Sequence, residues 1–254
     1  MSLLALESLT LSFGGIKAVD DLSFSVERGE IFTIIGPNGS GKTTIFNLLS
    51  RFYNPSRGRI VFDGEDITEM PAHTVAVRGI ARTFQNIELF ESASVLRNIL
   101  VGTHVHRSTN MLQDMFFTPK TRSAEKGSRL HAEVIMDFLE LQAYRDSLIR
   151  DLPYGIRKIV EIARALCTRP KLLLLDEPSS GLNVEETEDL AFWIQDIKRD
   201  LAITVLMIEH NMSLVSRVSD RVLALNSGRV LAMGSSFEVQ QHPEVIRAYL
   251  GDAV

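Results

Sequence analysis

Gly36-Pro37-Asn38-Gly39-Ser40-Gly41-Lys42-Thr43, with Thr44 following, decides the fold of this chain. The stretch fits G-x-x-x-x-G-K-[ST], a phosphate-binding loop. Ahead of it, Ile31 to Ile35 is an apolar, β-branched run that reads as a strand. Behind it, Thr44-Ile45-Phe46-Asn47-Leu48-Leu49 reads as a helix. In that setting the successive N–H groups of Asn38 to Thr43 form an anion nest, and the helix dipole adds positive potential. Lys42 would reach the β- and γ-phosphates and the Thr43 hydroxyl would ligate Mg²⁺. The stretch predicts binding of a nucleoside triphosphate.

Working outward, 254 residues with 45% hydrophobic content allow one large domain or two small ones with ample core. A net charge of −5 carries no nucleic-acid footprint. No apolar run approaches the ~20 residues of a membrane span. The start, Met1 to Glu7, lacks the basic region of a signal peptide, so the chain reads as cytosolic, with any membrane association made through a partner. The single cysteine, Cys167, falls on an apolar helix face and reads as a buried structural thiol.

Before the loop, Leu4, Leu6, Leu9, Leu11 and Phe13 mark one half-buried strand and Leu22, Phe24 and Val26 another, with Gly14-Gly15 as the turn. Arg59 to Phe62, closed by Asp63-Gly64, adds a further strand, which makes the opening a mainly antiparallel sheet wrapped around the loop. From about residue 86 to 165 the pattern is helical. Val95, Ile99 and Leu100 share one face, and His131 to Leu141 carries Val134, Ile135, Phe138, Leu139 and Leu141. Between these, Thr103 to Arg129 reads as a polar, turn-rich insert with Pro119 and Gly127. Within it Met111, Leu112, Met115 and Phe116 share a helical face, either local core or a docking surface for a partner.

The last third returns to α/β. Lys171 to Leu175 is a continuous apolar strand of the kind buried on both faces of a parallel sheet. Helix 185–200 and strand Ile203 to Ile208 follow, then a hairpin of Val222 to Leu225 and Val230 to Ala232 around Asn226-Ser227-Gly228. Asp176-Glu177 ends the buried strand, where acidic residues face the ligand crevice of a parallel sheet. Asp176 suits holding Mg²⁺ through water, and Glu177 suits polarising an attacking water.

Leu172 to Asn183, Ile162 to Leu166 before it and Ile208-Glu209-His210-Asn211 after it resemble the ATP-binding cassette family over essentially the whole chain. The resemblance implies an α/β fold: a P-loop NTPase core (1–85 and 166–254) with an antiparallel β subdomain, and an inserted helical subdomain (86–165) within one ATP-binding domain. It also implies dimers in which two ATP molecules are held between one chain's loop and the other's signature segment. By that resemblance Phe13 stacks on adenine and Val19 covers the sugar, although by pattern alone Phe13 belongs to a core face. Gln85 contacts Mg²⁺ and the attacking water, and His210 bonds the γ-phosphate. Ser180 to Asn183 is the dimer-contacting loop, with Asn183 where the family commonly has Asp. The signature departs most: Leu-Ser-Gly-Gly-Gln becomes Leu152-Pro153-Tyr154-Gly155-Ile156. Leu152, Tyr154 and Gly155 remain the positions facing a partner's ATP, without the serine hydroxyl or an N–H at Pro153.

Within the family the chain looks most like the ATP-binding subunits of branched-chain amino acid importers. The residues that carry this are Phe13 to Val19, Ile80 to Gln85, Phe117-Thr118-Pro119, Leu152 to Gly155 and His242 to Gly251. Such importers pair two cassettes with two integral-membrane permease subunits and a periplasmic binding protein, and related ones serve amides, urea and aromatic acids. A cassette driving lipopolysaccharide export or another membrane process would carry a standard signature and a different insert. A soluble cassette for DNA or ribosome work would need a coiled-coil insertion or tandem cassettes. A simple P-loop kinase is disfavoured by the signature helix, Glu177 and His210 together.

Overall fold

The computed structural model describes residues 2–106 and 118–250. The face of Met111, Leu112, Met115 and Phe116 lies outside the described residues. The chain divides into two compact units, residues 1–85 with 171–254, and residues 86–170.

In the first unit, β1 (Ser2–Phe13) and β2 (Ile16–Glu27) form a hairpin through Gly14-Gly15. With β3 (Ile31–Ile35), α1 (Lys42–Leu49), β4 (Arg57–Phe62), β5 (Glu65–Asp66), α2 (Ala72–Arg78) and β6 (Ile80–Arg82) they complete the stretch before the insert. The antiparallel sheet has the order β2-β1-β4-β5. The spacing of Leu6 and Leu9 is odd, so strict alternation would put them on opposite faces. A bulge with Ser8 at φ 49 absorbs the extra residue, and Leu4, Leu6, Leu9 and Leu11 all join one core.

β3 leaves that sheet for a second one. Its partners come after the insert: β7 (Leu172–Asp176), β8 (Thr204–Ile208), β9 (Arg221–Asn226) and β10 (Arg229–Gly234), in the order β10-β9-β3-β8-β7-β6. β6, β7, β8, β3 and β9 run parallel, so the loops after β3, β6, β7 and β8 leave from one edge. Period-2 alternation splits the buried strands between two cores. Phe32, Ile34, Leu223 and Leu225 join α1 and the antiparallel sheet, while Ile35, Val222 and Ala224 join a cluster with Val215, Val239 and Val245.

The second unit holds α3 (Val95–Gly102), α4 (Pro119–Phe138) and α5 (Tyr154–Leu166), with α3 packed against both of the others. α4 begins well before the expected His131. Pro119 starts it, because a proline in the first turn loses no helical hydrogen bond, and Thr118 caps it by accepting from Thr121 N–H. Gly127 therefore lies inside a helix and not in a turn. Val134 is exposed while Ile135 and Leu139 are buried, and on α3 the buried stripe is Val95, Leu96 and Ile99, with Leu100 at its edge. Cys167 is buried just past α5, and burial pushes its thiol pKa up to about 12. In the remaining part of the first unit, α6 (Val184–Leu201), α7 (Met212–Val218), α8 (Ser236–Gln240) and α9 (Pro243–Leu250) complete the described chain.

Candidate functional site

The loop from β3 to α1 is held from outside by backbone. A Cβ at Gly36 would meet the Leu225 carbonyl at 2.2 Å, and one at Gly41 would meet the Ala18 carbonyl at 2.4 Å. Gly41 also sits at φ 105, in the left-handed region that glycine adopts without strain, and is the N-cap of α1 without a side-chain cap. The Gly228 N–H donates to the Ser40 carbonyl at 2.8 Å, tying the hairpin turn to the loop. Asn38 and Gly39 are exposed and Pro37 half-buried, while Thr43 is exposed and Thr44 half-buried at the helix start. The Ser40 hydroxyl is buried with no hydrogen-bond partner, and the Lys42 ammonium donates to the Gly36 and Pro37 carbonyls at 2.7 and 3.0 Å. Burial holds the Lys42 pKa below the usual lysine range, against the opposing pull of Glu177 and Asp176. An unpartnered buried hydroxyl, an uncapped helix start and a desolvated ammonium make a cradle for an anion.

Three expected side chains meet at the open edge of the parallel strands. Gln85 Nε2 donates to Glu177 Oε2 at 3.0 Å, and His210 Nδ1 lies 3.9 Å from the same oxygen. Glu177 is in the left-handed region at φ 48, a conformation rarely held by a side chain of this size, and its N–H donates to the Ile208 carbonyl at 3.0 Å. Asp176 is buried beside it, ion-paired with Arg82 at 2.8 Å. Arg82 also donates to Asn47 Oδ1 on α1 and to Ser50 Oγ at its C-cap, and lies against the Phe46 and Phe84 rings. No local sequence pattern pairs Arg82 with Asp176, because the two are 94 residues apart.

Phe13 is 45% exposed and packs edge-on against Tyr53 at 5.1 Å, so it is free to stack and is no core residue. Val19 corrects its expected role. It is fully buried in the core cluster, so its side chain offers no surface to a sugar. Asn183 caps α6 in a reciprocal box with Glu186, which spends its side-chain acceptor locally. The pattern Asn-x-x-Glu carried that signal in the sequence.

In the second unit the signature segment forms the start of α5. Pro153 is the N-cap, with no side-chain cap, and Leu152 and Gly155 are buried while Tyr154 is half exposed. Arg157 steadies the turn by donating to the carbonyls of Leu152 at 2.9 Å and Arg150 at 2.8 Å.

A glycine loop opening a helix beside strand-end acids, with a helical insert, defines a nucleotide-hydrolysing cassette. A model of the ABC transporter family matches residues 19–180, and one of the branched-chain amino acid ATP-binding cassette transporters matches 229–254. The chain is 41% identical to the high-affinity branched-chain amino acid transport ATP-binding protein BraF of Pseudomonas aeruginosa, over 99% of this chain and 98% of that one. It is 38% identical to LivG of Escherichia coli K12 over the same shares. A crystal structure of a nucleotide-free cassette from an ABC transporter superposes with TM-score 0.86 at 32% identity, covering 99% of this chain and all of that one. A cassette in its ADP conformation gives 0.85 at 32%, with the same coverage. The chain belongs to the ABC transporter family, among the branched-chain amino acid transport ATP-binding proteins, and is an ABC transporter ATPase. Among the described residues no helix is long and apolar enough to cross a membrane.

Proposed function

We propose that this chain is the ATP-hydrolysing subunit of an importer for branched-chain amino acids. It acts on the cytoplasmic face of a membrane, bound to two permease subunits and opposite a second cassette, with a solute-binding protein delivering the substrate. Both compact units serve as one ATP-binding domain. The observation that carries the reading is the meeting of Gln85 and His210 on Glu177, in a chain similar end to end to branched-chain amino acid transport proteins.

The loop N–H groups of Asn38 to Thr43 hold the phosphates, and Lys42 exchanges its two loop carbonyls for phosphate oxygens. Phe13 stacks on adenine. Glu177 takes the proton of the attacking water, Gln85 orients that carboxylate, and His210 bonds the γ-phosphate. Leu152, Tyr154 and Gly155 present the start of α5 to the ATP on the partner cassette's loop. The donor set fits Mg²⁺, a hard cation that takes one or two carboxylates with phosphate oxygens and keeps several waters. Thr43 offers a hydroxyl, Gln85 an amide oxygen and Asp176 a carboxylate whose negative charge Arg82 balances. When bound, Mg²⁺ neutralises charge on the β- and γ-phosphates.

Vesicles holding both permeases and both cassettes test the reading. Leucine-loaded binding protein outside and ATP inside are expected to give leucine uptake coupled to hydrolysis. Stimulation by an amide or aromatic acid, and not by leucine, would reassign the substrate.

A further inference from the structure

Glu209 is fully buried, yet nothing in the reaction as described uses it. Its carboxylate is shared between two loops. Oε1 accepts from the Ser179 N–H at 2.8 Å, in the loop that follows Glu177. Oε2 accepts from the N–H groups of His210 at 3.0 Å and Asn211 at 3.2 Å, in the loop after β8. One side chain thus staples the loop carrying the strained Glu177 to the loop carrying His210. The ladder bond from the Glu177 N–H to the Ile208 carbonyl, next to Glu209, closes the same junction.

We infer that Glu209 is a positioning residue that holds Glu177 in its left-handed conformation and sets it against His210. The inference rests on the reading of Glu177 as the base. A non-glycine residue at positive φ persists only where its surroundings over-determine it, and the staple is fixed two residues past Glu177. A carboxylate can accept from both loops at once. A glutamine cannot, because its single acceptor oxygen serves one loop and its NH₂ faces the donors of the other.

The test uses the assembled transporter with full-length Glu209→Gln, Glu177→Gln and the double variant. Glu177→Gln is expected to cut turnover by about 10²–10⁴-fold with ATP binding intact. Glu209→Gln should lower kcat by about tenfold to a hundredfold, as the loss of charge-assisted hydrogen bonds predicts. The KM for ATP and the affinity for a fluorescent ATP analogue should change by about twofold at most, a split that general loosening would not give. The double variant should be no slower than Glu177→Gln, since Glu209 acts through Glu177. Full turnover in Glu209→Gln beside an inactive Glu177→Gln would overturn the staple and leave the reading of Glu177 standing. Normal turnover in Glu177→Gln would remove that reading and the staple with it. If Glu209→Gln does not fold, Glu209→Asp decides: a folded protein with lowered kcat supports the proposal. Full turnover, or failure to fold there too, overturns it.

Discussion

The starts of α1 and α5 are built alike and equipped differently. Neither has a side-chain cap, whereas α6 is closed by the Asn183–Glu186 box and α4 by Thr118. A capped helix spends its first N–H groups inside the protein, and an uncapped one keeps them for water or a ligand. At α1 the bare N–H groups are joined by a buried ammonium and a buried hydroxyl, from Lys42 and Ser40. At α5 the N-cap is Pro153, the counterpart of Gly41, with no hydroxyl and no N–H. The contrast teaches that α1 adds a buried ammonium and a buried hydroxyl to its bare backbone N–H groups, whereas the N-cap of α5 adds neither.

Removing the lysine tests the stronger end. Lys42→Met is expected to lower ATP affinity by about a hundredfold, the upper range for a hydrogen bond to a charged group. Calorimetric titration of the full chain measures it, and unchanged affinity would make the two helix starts equivalent. Adding a donor tests the weaker end. Pro153→Ser should raise ATP occupancy of the site on the partner cassette's loop, with affinity increased about tenfold, and leave this chain's own loop site unchanged. Nucleotide trapping resolved between the two cassettes reads the result, and equal occupancies before and after would dismiss the missing hydroxyl. The smallest effect is expected at the capped helix. Asn183→Ala should cost about 0.5–2 kcal/mol and lower the thermal midpoint by a few degrees. No change in melting would mean that the box does not stabilise α6.

Some misreadings came from local chemistry that serves two purposes. Pro119 and Gly127 read as turn signals, but proline is as comfortable at a helix start as in a turn, and a single glycine is tolerated within a helix. The bulge at Ser8 was not visible either, because odd spacing within one strand is resolved only by the register of its neighbours. Phe13 and Val19 come out differently: resemblance puts both at the site, and burial speaks against it only at Val19. Alternation alone puts Phe13 in the core, while packing leaves it exposed against Tyr53 and buries Val19.

The sequence by itself determined the phosphate loop, the glycine turn of the first hairpin, the buried strand ending in Asp176-Glu177 and the apolar stripe of α5. Each of these depends on backbone stereochemistry or on a period of two to four residues, which neighbouring residues express directly. Tertiary structure alone decided that Arg82 balances Asp176 and that Glu209 joins the loops of Glu177 and His210. The strand order β3-β8-β7-β6 brings those groups together across long stretches of chain. A buried charge is stable only beside its partner, and which partner it meets is fixed by strand order, which no local pattern records.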